Sequence, residues 1–167
     1  MKNISIKKVL LPLAVIFLLI FLFYKLNDKP IAPNVTFTTI EGKKISMADL
    51  KGKVVLVNFW ATDCPGCIKE MPDLVKAYET YHEKGFELIA IAMPYDPPAQ
   101  VLNYTNQKKL PFPVMHDGLG EMIKAFGGVN LTPTTFIFNP QGQRLQLTIG
   151  ELDFAKFNQL MKSELVQ

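Results

Sequence analysis

Cys64 and Cys67 are the only cysteines among 167 residues, and Pro65-Gly66 separates them. Cysteines that staple a domain for stability usually sit far apart and close long loops. A two-residue gap closes almost no loop, so this pair adds little entropic stabilisation and points to thiol chemistry instead. The pair falls where an apolar, strand-like run ends and a helical pattern begins. The first turn of a helix presents unpaired N–H groups and the positive end of the dipole, both of which stabilise a thiolate. Such surroundings bring a thiol down from about 8.5 to between roughly 3.5 and 7.5. Cys64 is then the exposed thiolate that attacks a disulfide, and Cys67, inside the helix, resolves the mixed disulfide. Pro65 suits the first helical position, where its missing N–H is no loss. Half a zinc site and an inert pair are the bland alternatives. Zinc needs four ligands, and only His82 and His116 remain as nitrogen donors, so no metal site is expected.

The elements around the pair follow from apolar patterning. Val35–Ile40 and Lys43–Ile45 flank Glu41-Gly42 as a small hairpin, and Ser46 with Asp49 forms a capping pattern for one helical turn. Lys53–Trp60 is nearly continuously apolar and β-branched, as a strand buried on both faces is, and Phe86–Ala92 is a second such strand. Between them Ile68, Met71, Val75, Tyr78 and His82 lie at helical spacing, with Gly85 as a stop. Pro98 opens another helix, with Val101, Leu102 and Thr105 on one face. Phe112–His116 reads as a short strand and Glu121–Phe126 as a short helix closed by Gly127-Gly128. Thr134–Phe138 and Arg144–Ile149 bracket Asn139-Pro140-Gln141-Gly142-Gln143, a hairpin, and Asp153 caps a last helix to about Leu165. The order ββ, βαβα, ββα implies a mixed sheet with helices on both faces, finishing in an antiparallel hairpin.

Charge and hydropathy are both uneven. Val9 through Tyr24 run without a charge or strong polar group, and residues 1–29 hold Lys2, Lys7, Lys8, Lys25 and Lys29 against Asp28 alone. With no A-x-A-like cleavage site before Pro30, residues 9–26 read as a transmembrane signal-anchor. A cleaved signal peptide and a buried core helix are the other readings of that run. Lysine excess before the run leaves residues 1–8 in the cytoplasm, 27–34 as a polar, proline-containing linker, and 35–167 as a domain outside. The domain has no basic footprint, so no nucleic-acid partner is expected.

The stretch Val55–Pro72, centred on Asn58-Phe59-Trp60-Ala61-Thr62-Asp63-Cys64-Pro65-Gly66-Cys67, resembles the active-site segment of thioredoxin-fold proteins. It is most similar to the membrane-tethered TlpA/ResA-like branch. The similarity continues through Gly128-Val129-Asn130-Leu131-Thr132-Pro133-Thr134-Thr135-Phe136 and Asn139-Pro140-Gln141-Gly142, covering roughly residues 35–165. It implies an α/β thioredoxin-like fold: a central mixed sheet flanked by helices, an N-terminal β-hairpin extension and a single N-terminal transmembrane helix. It implies that Cys64 and Cys67 are the redox pair, joined by Pro65 and Gly66, with no cofactor beyond their disulfide. Trp60 matches the aromatic residue lining the site, Pro72 the proline that kinks the active-site helix, and Pro133 the cis-proline facing the disulfide. Thr132 would offer backbone hydrogen bonds to a bound substrate strand.

Two positions depart from thioredoxin. Its buried aspartate is Asn58 here, so the proton of Cys67 must go to water or another carboxylate. The residue before the first cysteine is Asp63, whose charge opposes thiolate formation at Cys64 and favours a more reducing couple. Glu70, three residues after Cys67, reads first as a solvated surface carboxylate, and as a proton-transfer group second. His116 invites comparison with copper-delivery proteins of this fold, but those have a three-residue gap between cysteines. His82 reads as a surface residue. Thiol peroxidases of the fold need a threonine where Ala61 stands. The expected activity is an anchored, extracytoplasmic protein thiol–disulfide oxidoreductase, most simply a reductase recharged by a membrane electron donor. Its substrates would be cysteine-containing proteins such as apocytochrome c or copper-site proteins. A disulfide-forming oxidant and a non-enzymatic copper or partner-binding module are the competing readings.

Overall fold

A computed structural model describes residues 13, 15–19, 21, 22 and 29–165. The chain divides into two units, 1–30 and 31–167. In the first, the described residues of the apolar run are helical and exposed. Among the described residues no helix is long and apolar enough to cross a membrane. The anchor expected over 9–26 falls largely outside the described residues, as does the cytoplasmic segment 1–8. In the second unit, Ile31 already bridges to Gln143 and the Ala32 N–H donates to Gly142 O. The latter half of the expected 27–34 linker is thus bonded to the domain.

Strands β1 (Thr36–Thr38) and β2 (Lys44–Ser46) form the expected antiparallel hairpin. Ser46 and Asp49 exchange the two expected capping bonds, each 3.1 Å, but only turns follow, not a helical turn. The core sheet has the order β5-β4-β3-β6-β7. Its members are β3 (Val54–Trp60), β4 (Phe86–Ala92), β5 (Val114–His116), β6 (Thr134–Phe138) and β7 (Arg144–Ile149). β3 pairs in parallel with β4 and antiparallel with β6, and β5 and β7 are the edges. Every residue of β3 and β4 is buried, which is why their sequences do not alternate.

The period of two along β3 decides what each face holds. Val54, Leu56 and Trp60 point to one core with Met71, Leu74, Val101 and Phe157. Val55, Val57 and Phe59 point to the other, with Phe37, Met122, Phe126 and Phe136. The first face carries helices α1 (Pro65–Tyr81), α2 (Pro98–Lys108) and α4 (Phe154–Leu165); the second carries the hairpin and α3 (Glu121–Ala125). Each large side chain so buried contributes about 1.5–3 kcal/mol. Asn58 shares its parity with Leu56 and Trp60, so the sheet aims it at α1.

Helix α1 lies about one residue out of the expected phase. Its buried residues are Cys67, Glu70, Met71, Leu74, Ala77 and Tyr81, whereas Ile68, Val75 and Tyr78 are only partly covered. A carboxylate occupies a core position, and that breaks the apolar spacing on which the expectation rested. A 3₁₀ turn over His82–Lys84 ends at Gly85, whose φ of 94° needs a residue without a Cβ. On α2, Val101 and Thr105 face inward but Leu102 is exposed. Asp153 Oδ1 accepts from the N–H groups of Ala155 and Lys156, capping α4 as expected.

Candidate active site

Strand β3 ends at Trp60 and α1 begins at Pro65, so the chain turns over Ala61–Cys64. A single buried carboxylate holds that turn. Asp96 is 1% exposed and accepts from the Thr62 N–H at 2.7 Å and the Thr62 hydroxyl at 2.6 Å. The His116 ring nitrogen Nε2 lies 2.8 Å from Asp96 O. Asp96 follows β4 at the sheet end where β3 delivers the cysteines, and nothing in the local sequence pattern marks it out.

Cys64 is the N-cap of α1, with Pro65 in the first turn. The Cys67 N–H donates to Cys64 Sγ at 3.2 Å, so the outer sulfur sits on a free donor of the helix terminus. Cys64 and Cys67 form a disulfide with their Cα atoms 5.3 Å apart. Cys64 is partly exposed and Cys67 fully buried, which leaves Cys64 as the accessible sulfur. The Thr132–Pro133 bond is cis, and the buried Pro133 ring stands 3.6 Å from where a Cβ on Gly66 would sit. Thr132 is half-buried, with its hydroxyl 3.4 Å from that of Tyr95.

Beneath the pair lies a buried polar cluster. Asn58 Nδ2 donates to Glu70 Oε1 and to Thr135 Oγ1, each at 3.0 Å. The Leu152 N–H donates to Glu70 Oε2 at 3.0 Å. Glu70 is 3% exposed, one turn of α1 beyond Cys67, so it is not the solvated carboxylate the sequence suggested. Burial pushes its carboxyl above the ordinary value, against the two hydrogen bonds that favour the ionised form. The nearby Glu151 charge pushes the same way as burial. Asn58 Oδ1 is buried without a partner among the described residues.

The remaining expected residues fall into different surroundings. Trp60 is fully buried at the end of β3, with its ring 5.3 Å from that of Tyr104. Asp63 is exposed, with no ion-pair partner among the described residues. Pro72 lies inside α1 on its exposed side, where it takes away the N–H that would bond Ile68 O. His82 stacks on Tyr78, partly buried, with Nδ1 3.2 Å from Phe86 O. Among the described residues no group of three or more His, Cys, Asp or Glu is placed to hold a metal ion.

The AhpC/TSA family profile matches residues 29–143, which include the redox segment and the cis-proline loop. The chain belongs to the AhpC/TSA family. The thiol–disulfide oxidoreductase ResA of Bacillus thuringiensis subsp. konkukian is 41% identical over 131 residues, covering 78% of this chain and 75% of its own. Like that relative, this family member is a protein thiol–disulfide oxidoreductase. A thiol:disulfide interchange protein of the thioredoxin family from Chlorobium tepidum superposes with a TM-score of 0.76 at 34% identity, covering 83% of this chain and 97% of that one. StoA from Bacillus subtilis superposes with a TM-score of 0.66 at 27% identity, over 78% and 98% of the two chains. The α/β thioredoxin-like fold read from the sequence is the fold observed.

Proposed function

We propose that this oxidoreductase is a reductase of protein disulfides, held at the outer face of the cytoplasmic membrane by residues 9–26. The buried Glu70 carboxylate carries the reading. An oxidant of this fold is strong because its reduced form is stabilised, and a stable thiolate does that. Here a carboxylate lies one turn behind the inner sulfur, and the exposed Asp63 precedes the outer one. Both oppose negative charge on the reduced pair and favour the disulfide form of the enzyme, which makes the dithiol a better reductant.

In the cycle, the Cys64 thiolate attacks one sulfur of a substrate disulfide and the other leaves as a thiolate. Cys67 loses its proton, attacks Cys64 Sγ in the mixed disulfide, and frees the second substrate thiol. Glu70, one turn of α1 beyond Cys67 and held by the Asn58 amide and the Leu152 N–H, accepts the Cys67 proton. Two electrons pass to the substrate, its two thiolates take up protons from Glu70 and from water, and the Cys64–Cys67 disulfide remains. Thr132 binds the substrate strand beside Pro133. The cycle uses no cofactor beyond that disulfide, and a membrane electron donor returns it to the dithiol. Cysteine-containing proteins outside the cytoplasm are the substrates, with apocytochrome c or proteins awaiting metal at paired cysteines as the fitting kinds.

The test is the reduction potential of the pair in the full chain, equilibrated with a thiol–disulfide buffer. A value near about −270 mV is expected, and a value near about −120 mV would make the protein an oxidant and overturn the reading.

A further inference from the structure

Three consecutive residues after β7 touch three different parts of the site. The Gly150 N–H donates to Pro133 O at 2.8 Å, and the Leu152 N–H to buried Glu70 at 3.0 Å. Between them, Glu151 reaches over the bridge that joins the cysteines. Its Cγ and Oε1 lie 3.5 and 3.6 Å from the position a Cβ on Gly66 would take, and the Pro133 ring approaches the same position from its own side. Gly66 therefore lies between a proline ring and a carboxylate, with room beside it for about one methyl group.

The two oxygens of that carboxylate are used differently. Oε2 accepts from Lys69 Nζ at 2.6 Å, while no hydrogen bond among the described residues reaches Oε1. Lys69 is paired on the outer side, its side chain 72% exposed against 46% for Glu151. Oε1 thus stands as an open acceptor beside Gly66, two residues along the chain from Cys64. An exposed ion pair such as Lys69–Glu151 is weak, so an incoming cation can share or replace Lys69 at little cost.

We infer that Glu151 is a specificity-determining residue, selecting substrate cysteines flanked by a lysine or arginine. The cationic side chain approaches from solvent and donates to Glu151 Oε1 during the mixed disulfide. This deepens the reductase reading and rests on it for the direction of electron flow, but not for the contact. The same mixed disulfide forms whichever way the electrons run.

The test uses the full chain and a set of two-cysteine peptides that differ only in one residue beside the attacked cysteine: lysine, norleucine or glutamate. Second-order rate constants are measured for reduction of the disulfide peptides by the dithiol enzyme, and for oxidation of the dithiol peptides by the disulfide enzyme. At low salt the wild-type protein is expected to favour the lysine over the glutamate peptide by about fivefold, the scale of one exposed charge pair. Glu151→Gln brings that ratio towards one, and Glu151→Lys inverts it. Raising the salt shrinks the wild-type ratio. A ratio unmoved by either substitution, or an equal loss on all three peptides, overturns the assignment. A preference that responds as expected, but with only the oxidation running to completion, keeps the assignment and overturns the reductase reading instead.

Discussion

Asn58 donates its side-chain N–H to the Glu70 carboxylate across 3.0 Å, and both side chains are buried behind Cys67. The strand supplies the donor because residue 58 has the parity that faces α1, and the helix supplies the acceptor one turn beyond the inner cysteine. The carboxylate of this site therefore stands on α1 and the amide on β3. An amide at position 58 can hold a carboxylate but cannot take a proton, so titration at this depth falls to Glu70.

Glu70→Gln separates those roles. The substituted amide can accept from the Leu152 N–H with its oxygen and donate to Asn58 Oδ1, which has no partner now, once the Asn58 amide turns over. The variant is expected to fold normally and to release substrate from the mixed disulfide about 100-fold more slowly near neutral pH, the range for a lost acid–base group. Stability gives a second readout. The folded-state pKa of Glu70 is raised above its ordinary 4.5, so its contribution is present below that value and is lost as pH rises through the folded pKa. Urea denaturation of the wild type relative to Glu70→Gln should show a difference that moves against the wild type as pH climbs through that window. A pH-independent difference would contradict a buried titrating carboxylate.

Asp96→Ala removes the anchor of the turn that presents Cys64. Two bonds from Thr62 are lost, and the buried environment is left without its charge acceptor. A loss of about 3 kcal/mol is expected from urea midpoints, since a hydrogen bond to a charged group is worth about 1.5–3 kcal/mol. Thr62→Val deletes the hydroxyl's contacts with Asp96 and Gln100 but keeps the N–H bond, and should cost about half as much. Equal losses would mean that the Thr62 N–H contributes nothing.

Much of this arrangement is legible in the sequence, and the parts that are not share a physical cause. β4, β6 and β7 have the expected bounds and β3 begins one residue later, because continuous apolar or β-branched runs in β3, β4 and β6, and alternation after a turn in β7, admit few other readings. The Cys64–Cys67 pair announces itself by its spacing together with its place between a buried strand and a helix. Glu70 does not, because a buried carboxylate and a surface one look identical in a helical pattern. Its burial depends on Asn58 and on Leu152, 12 and 82 residues away in the chain. Asp96 and Glu151 are silent in the sequence for the same reason: their partners Thr62 and Lys69 are 34 and 82 residues distant. Trp60 is legible as the end of a buried strand, and it is strand parity that turns its ring to the α1 face.

Asp63→Asn tests the charge beside the nucleophile. Asp63 is exposed and unpaired among the described residues, so removing its charge leaves the fold untouched and eases ionisation of Cys64 in the reduced protein. The pH dependence of alkylation by iodoacetamide is expected to shift to lower pH. The rate at neutral pH should rise by about threefold, half a decade of thiolate population. An unchanged midpoint would remove Asp63 from the account of the reducing couple.

Asn58→Asp restores the carboxylate that thioredoxin buries at this position, and here it meets another one. The new oxygen would stand about where the Asn58 nitrogen is, 3.0 Å from Glu70 Oε1. Two carboxylates so close in a buried site cannot both ionise, so they hold one proton between them and titrate as a pair. The shared proton raises a folded-state pKa far above that of the unfolded chain. Stability is then intact at low pH and lost as pH rises through the pair's upper pKa. Relative to wild type, Asn58→Asp is expected to lose about 1.4 kcal/mol for each pH unit between the folded-state pKa of Glu70 in the wild type and the pair's upper pKa, the slope for one proton. Below that range, where the pair is protonated, the variant should come close to wild-type stability, because a carboxylic acid can donate to Glu70 as the amide does. Urea midpoints between about pH 5 and 9 decide the matter. A difference that stays flat would mean that the two side chains separate and that the 3.0 Å contact does not govern the site.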